Sequence, residues 1–166
     1  MKQIVKYALL FVIIFSFSAA AQNAQPQKKE APQSKNAPKF DPARDSEKDL
    51  AEAVANAKVS GKFILLDVGG EWCIWCKRLD VFLYDDPEIH KMMKDAFEVV
   101  KVNMSQENKN EAFLSKYPKI GGYPHFFILD KNGKFVQSQD TAVLESKGSY
   151  NPEKLKAFFT IWTAGK

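Results

Sequence analysis

The sequence predicts a small α/β sandwich, a central mixed sheet with helices on both faces, and three observations carry that prediction. Apolar runs of strand length alternate with segments of helical spacing in the order α β α β α β β α. Helices between strands imply parallel pairing, while the Asp130-Lys131-Asn132-Gly133 turn closes a hairpin and adds an antiparallel edge. The length of 166 residues, 45% hydrophobic and 27% charged, suits one soluble domain.

The chain begins with an address. Lys2 and Lys6 form a positive start, Tyr7–Phe17 an apolar run, and Ala19-Ala20-Ala21 a small-residue cleavage site. The apolar run is shorter than the roughly 20 residues of a spanning helix. Residues 1–21 are therefore expected to be a cleaved signal peptide and the protein periplasmic or secreted. An uncleaved anchor tethering it to the inner membrane is the alternative, and the lack of a cysteine after the apolar run excludes a lipid-modified N-terminus. Residues 22–44, rich in Gln, Pro, Lys, Asn and Ala, offer little apolar surface to offset the entropy of ordering and read as a flexible linker. Residues 45–166 form the domain.

Within it, Ser46 is the expected cap of a helix bearing Leu50, Ala53, Val54 and Ala57 and stopping near Gly61. Phe63–Val68 reads as a buried strand, broken by Gly69-Gly70. A second helix starts at about Cys73 and runs towards Tyr84. Asp86-Pro87 restarts a third helix with Ile89, Met92, Met93 and Phe97 at helical spacing; the two methionines read as core packing. Phe97–Val102 is the next strand, followed by a polar helix over about 106–117. His125–Leu129 and Lys134–Val136 flank the hairpin turn, and Asn151-Pro152 caps a closing helix ending near Thr163.

The formal charge of +4 falls to +2 without Lys2 and Lys6, and no basic run carries interleaved aromatics. Nucleic acid is not an expected partner.

Both cysteines lie in Trp72-Cys73-Ile74-Trp75-Cys76, between a buried strand and a helix start. The two-residue spacer brings the thiols within bonding distance across one helical turn. The helix N-terminus directs unpaired N–H groups and partial positive charge at the first sulfur, favouring a nucleophilic thiolate at Cys73. Cys76, a turn deeper, stays protonated until it resolves the mixed disulfide. Zinc or copper carriage lacks ligands beyond the isolated His90 and His125. Haem attachment needs a histidine where Lys77 stands, and a structural disulfide here closes too small a loop to gain much.

Spaced segments across nearly all of 46–163 resemble the thioredoxin superfamily. They are Ile64-Leu65-Leu66-Asp67, Glu71-Trp72-Cys73-x-x-Cys76-Lys77, Val100-Lys101-Val102-Asn103, Ile120-Gly121-Gly122-Tyr123-Pro124 and Asn132-Gly133-Lys134. The nearest resemblance is to exported thioredoxin-like proteins with a W-C-x-x-C-K motif. It implies the thioredoxin fold, a buried carboxylate at Asp67 that takes the proton of Cys76, and a lysine beside it at Lys101. It also implies a cis-proline at Pro124 that leaves the Tyr123 backbone free to pair with an extended substrate.

Trp72, Trp75 and Tyr123 then form an apolar rim for protein substrates, with Trp72 expected to be the more structural and Trp75 the more exposed. His90 reads as bland, and His125 either influences Cys73 or is a satisfied strand histidine.

The sequence also departs from the family pattern. Ile74-Trp75 adds no charge or polar hydrogen near Cys73, Gly69 replaces a bulky aromatic, and Val81 stands where thioredoxin has a kinking proline. The expected activity is thiol–disulfide exchange with protein thiols and disulfides, leaning towards reduction, with no cofactor beyond the cysteine pair, a membrane electron donor and a monomeric state. The rivals are an oxidase or isomerase and a non-catalytic client-binding module.

Overall fold

A computed structural model describes residues 32–163 of the protein. The expected signal peptide, residues 1–21, and the linker as far as residue 31 lie outside the described residues. No helix among the described residues is long and apolar enough to cross a membrane.

The elements are α1 (Ser46–Ser60), β1 (Phe63–Gly69), α2 (Ile74–Asp85), α3 (Pro87–Ala96), β2 (Phe97–Asn103), α4 (Glu111–Leu114), β3 (His125–Leu129) and β4 (Phe135–Asp140). A 3-10 turn over Thr141–Leu144, the short ribbon β5 (Glu145–Ser146) and β6 (Ser149–Tyr150), and α5 (Pro152–Thr163) complete the chain. The main sheet has the order β2-β1-β3-β4.

Strand alternation divides the core between two faces. Leu65, Phe126 and Ile128 pack with Leu79, Leu83, Ile89, Met93, Leu155 and Phe159 under α2, α3 and α5. Ile64, Leu66, Val68, Val100, Val102 and Phe127 pack with Ala53, Ala57 and Phe113 on the α1 and α4 side. Met93 is buried in that first core and Met92 packs partly buried against it.

Four details differ from the sequence expectation. Asp45, not Ser46, caps α1: its carboxylate accepts from the N–H groups of Glu47 and Lys48, while Ser46 Oγ donates to Asn110 Oδ1. The helix expected over 106–117 shrinks to Glu111–Leu114 because side-chain amides organise the preceding loop instead. Asn103 Nδ2 donates to Ser105 Oγ and the Asn108 carbonyl, and Asn110 Nδ2 donates to the Asn103 carbonyl.

β1 and β2 pair in parallel, but β3 runs antiparallel to β1 as well as to β4. A four-residue helix advances only about 6 Å and does not carry the chain back along a strand more than 20 Å long. The chain therefore re-enters the sheet at the end where β2 left it. That end holds the last residues of β1, the start of α2 and the start of β3.

The fourth difference is the end of the expected linker, which lies on the domain. Ser34 Oγ and Asn36 Nδ2 donate to Asp85 Oδ1 at 2.7 and 2.8 Å, and the Phe40 N–H donates to Glu71 Oε1 at 3.0 Å. Phe40 is 2% exposed, so this polar stretch does bury one large apolar side chain.

Phe127 is fully buried and stacks on Tyr117 with ring centroids 4.9 Å apart, whereas Val59 on α1 is 91% exposed. Phe127→Ala is expected to lower the unfolding free energy by about 3–5 kcal/mol. Val59→Ala should change it by no more than about 0.5 kcal/mol. Urea denaturation distinguishes the two, and equal losses would contradict this assignment of the core.

Candidate active site

The loop after β1 returns the chain into α2 with Cys73 at the N-cap. Cys73 and Cys76 form a disulfide with Cα atoms 5.2 Å apart, and the Cys76 N–H donates to Cys73 Sγ at 3.1 Å. The first turn of α2 thus presents its N–H groups to the first sulfur, the arrangement that stabilises negative charge there. Both cysteines are buried, packed with Phe40 and flanked by Trp75 and Tyr123.

Beneath the pair lies a cluster of charges. Asp67 and Lys101 are opposite one another in the β1–β2 register, so both point to the α2 face. Lys101 Nζ lies 2.8 Å from Asp67 Oδ2 and forms a second, shorter ion pair with Asp80 on α2. All three side chains are buried, and Lys101 Nζ also sits 4.1 Å from the centroid of the Phe40 ring.

Burial alone disfavours the Lys101 ammonium, but Asp67 and Asp80 outweigh that and hold its pKa above the usual lysine value. One cation cannot neutralise two carboxylates. Burial, reinforced by the Asp67 charge and opposed by Lys101, pushes the Asp80 carboxyl up to about 7.

Asp80 is the site residue that the sequence reading missed. Its signal was an acid on the buried stripe Cys76, Leu79, Asp80 and Leu83, which follows the spacing i, i+3, i+4, i+7.

The Tyr123–Pro124 peptide bond is cis, as the resemblance implies. The rim aromatics reverse their expected places. Trp72 is 60% exposed, held only along one edge: Nε1 donates to the Met104 carbonyl at 2.6 Å, and its ring meets Tyr123 edge-on at 5.9 Å. Trp75 is half-buried, edge-on to Tyr150, with the Arg78 guanidinium 4.5 Å over its ring. The physical reason is position: Trp75 lies on α2 in line with Leu79 and Phe82, facing the core, whereas Trp72 precedes the helix and projects across the end of β2.

His125 is a buried strand residue with Nε2 2.8 Å from Ser138 Oγ, and desolvation lowers its pKa. His90 Nδ1 contacts the Leu83 carbonyl on the far end of α2.

Two cavities flank Phe40. One of about 730 Å³, mainly apolar, is lined by Phe40, Pro42, Trp72, Met104 and Tyr123 among others. The other, of about 380 Å³, places Cys76 and Asp80 on a common wall with Gly70, Glu71 and Lys77, roofed by residues of the 33–40 segment.

Residues 45–131 match the profile of a family described as Thioredoxin-like. The thiol:disulfide interchange protein DsbD of Salmonella typhi is 28% identical over 86 residues, 52% of this chain and 15% of that protein. The chain therefore spans about one-seventh of the curated relatives it matches. Among solved structures, a disulphide isomerase from Xylella fastidiosa Temecula1 superposes with a TM-score of 0.64 at 24% identity, covering 77% of this chain and 98% of that one. The oxidised C-terminal domain of Neisseria meningitidis DsbD superposes with a TM-score of 0.52 at 19% identity, covering 74% and 97%. These likenesses show the same fold.

Asp80 binds its proton more tightly in the folded protein than at its ordinary value of 3.8, so its contribution to stability is fullest at acid pH. That contribution is lost as pH rises through about 7. Asp80→Asn, neutral at every pH, should therefore shrink the fall in thermal midpoint of the oxidised protein between pH 5 and pH 8. An undiminished fall in the variant would contradict the assignment.

Proposed function

The chain belongs to the thioredoxin-like family, and on that premise we propose that it is an exported thiol–disulfide oxidoreductase acting on protein substrates, with reduction as its working direction. The single observation that carries the reading is the Cys73–Cys76 disulfide at the N-terminus of α2, with the buried Asp80 on the same cavity wall as Cys76. The cysteine pair is itself the redox group, with no further cofactor.

In the reducing direction, the Cys73 thiolate attacks one sulfur of a substrate disulfide, and the other substrate sulfur leaves as a thiolate. The Cys76 thiol then gives its proton to the carboxylate cluster and attacks Cys73 Sγ, releasing the second substrate thiolate and forming the Cys73–Cys76 disulfide. Two electrons pass to the substrate, whose thiolates are protonated from water, and a dithiol donor restores the pair. Asp67, Lys101 and Asp80 act as a unit in the proton step. Asp80 shares a cavity wall with Cys76 and has a carboxyl whose charge changes near neutral pH, which favours it as the exchanging member of the unit.

Exposed Trp72 and half-buried Tyr123 offer an aromatic edge beside the cysteines for an extended client segment, with Pro124 and the Tyr123 backbone next to it. Trp75, half-buried, contributes less to such contact. The reading of residues 1–21 as a signal segment supports a periplasmic setting. There a reductant draws electrons from a membrane partner. The protein is taken to act as a monomer.

Cys73→Ala should reduce turnover of a disulfide-bonded test protein to the uncatalysed rate. Cys76→Ala should accumulate a mixed disulfide between Cys73 and the client that added thiol releases. Turnover that survives Cys73→Ala would sink the proposal. Client binding without turnover in the native protein would identify a binding module instead.

A further inference from the structure

The sequence places glycine at 69, where the resembling family carries a bulky aromatic, and the structure puts another aromatic against that position. A Cβ built on Gly69 would lie 2.9 Å from Phe40 Cζ and 2.6 Å from Cys76 Sγ. The Phe40 ring therefore occupies the space in front of Gly69 that a side chain there would need. The same ring covers Lys101 Nζ at 4.1 Å and packs against both cysteines.

Phe40 is the one aromatic residue between 22 and 42, and the segment that carries it is fixed to the cysteine-bearing elements themselves. Asp85, the last residue of α2, accepts hydrogen bonds from Ser34 Oγ and Asn36 Nδ2. Glu71, two residues before Cys73, accepts from the Phe40 N–H. Asn108 Nδ2 donates to the Pro42 carbonyl, and Arg44 pairs in a fork with Asp49. The ring lines both cavities, the one that holds Trp72, Met104 and Tyr123 and the one that holds Cys76 and Asp80.

We propose that Phe40, carried on a strap of residues 33–44, is the positioning residue that supplies the aromatic cover missing at Gly69, sealing Cys76 and the Asp67–Lys101–Asp80 cluster from water. The low dielectric that keeps a proton on the cluster then depends on a segment outside the α/β core. The strap latches to the same loop and helix that hold the cysteines, so their geometry and its cover are built together. The inference deepens the redox reading and rests on it for its significance, but not for its test.

The test uses the full chain carrying Cys73→Ala and follows alkylation of Cys76 by iodoacetamide from pH 5 to pH 10. Alkylation needs only a reachable thiol, so it reports on the seal even if the protein exchanges no disulfides with clients. Phe40→Ala should raise the rate at pH 7 by about tenfold or more, the change in thiolate fraction that one pKa unit brings. It should also move the inflection contributed by the carboxylate cluster to lower pH. Phe40→Leu, which keeps an apolar cover, should restore most of the native profile.

The double variant Ser34→Ala/Asn36→Ala loosens the latch without touching the ring, and should shift the profile in the same sense. It decides the matter if Phe40→Ala does not fold. A native rate and an unmoved inflection in whichever of these variants fold would overturn the proposal. Loss of client turnover in the native protein with the shifted alkylation profile intact would remove the redox reading and leave the seal standing.

Discussion

A single buried ammonium shared between two buried carboxylates is the constraint around which the rest of this structure is arranged. Removing an ion from water costs several kcal/mol, so Lys101 tolerates burial only because Asp67 and Asp80 converge on it. That convergence requires the parallel register that sets Asp67 beside Lys101, and a helix that returns Asp80 over the same face. The return is the turn containing Cys73, so the disulfide and the ionic cluster are products of one chain reversal. Deleting the lysine would leave two uncompensated acids in the core, a change on the scale of about 3–5 kcal/mol.

The cluster also opposes the field of the helix. The N-terminus of α2 favours a thiolate at Cys73, whereas an excess carboxylate beneath the pair favours neutral thiols. Ile74 and Trp75 add nothing to either side, being apolar and, for Trp75, turned towards Tyr150. A reduced state with little extra thiolate stabilisation is the condition for a reducing pair, since strong oxidants owe their potential to a stabilised reduced form. The exposed edge of Trp72 beside Tyr123 leaves an apolar approach on one side of Phe40, while the strap roofs the other.

Much of this was legible from residue order. Strand-length apolar runs, the Asp86-Pro87 and Asn151-Pro152 caps and the Asn132-Gly133 turn are local signals with local causes, and the elements form where those signals stand. The cysteine spacing after a strand located the site, and Asp67 and Lys101 entered through resemblance. What sequence did not disclose was set by tertiary contacts. The direction of β3 follows from how short α4 is, and that depends on amide hydrogen bonds among Asn103, Ser105, Asn108 and Asn110 that compete with the helix. Trp72 and Trp75 exchange roles because the helix begins between them. Asp80 passes as an ordinary helical acid until Lys101 is seen opposite it. Phe40 hides in a segment whose composition argues for disorder, because one aromatic and a few side-chain hydrogen bonds hardly alter an average.

The proposed reducing role rests on the buried carboxylates near the Cys73–Cys76 pair disfavouring its thiolates. Its most direct test is the reduction potential of the pair, obtained by equilibrating the purified chain against glutathione at pH 7. A reducing pair should show a value near that of thioredoxin, about −270 mV. A value close to about −120 mV, that of a strongly oxidising disulfide, would contradict it.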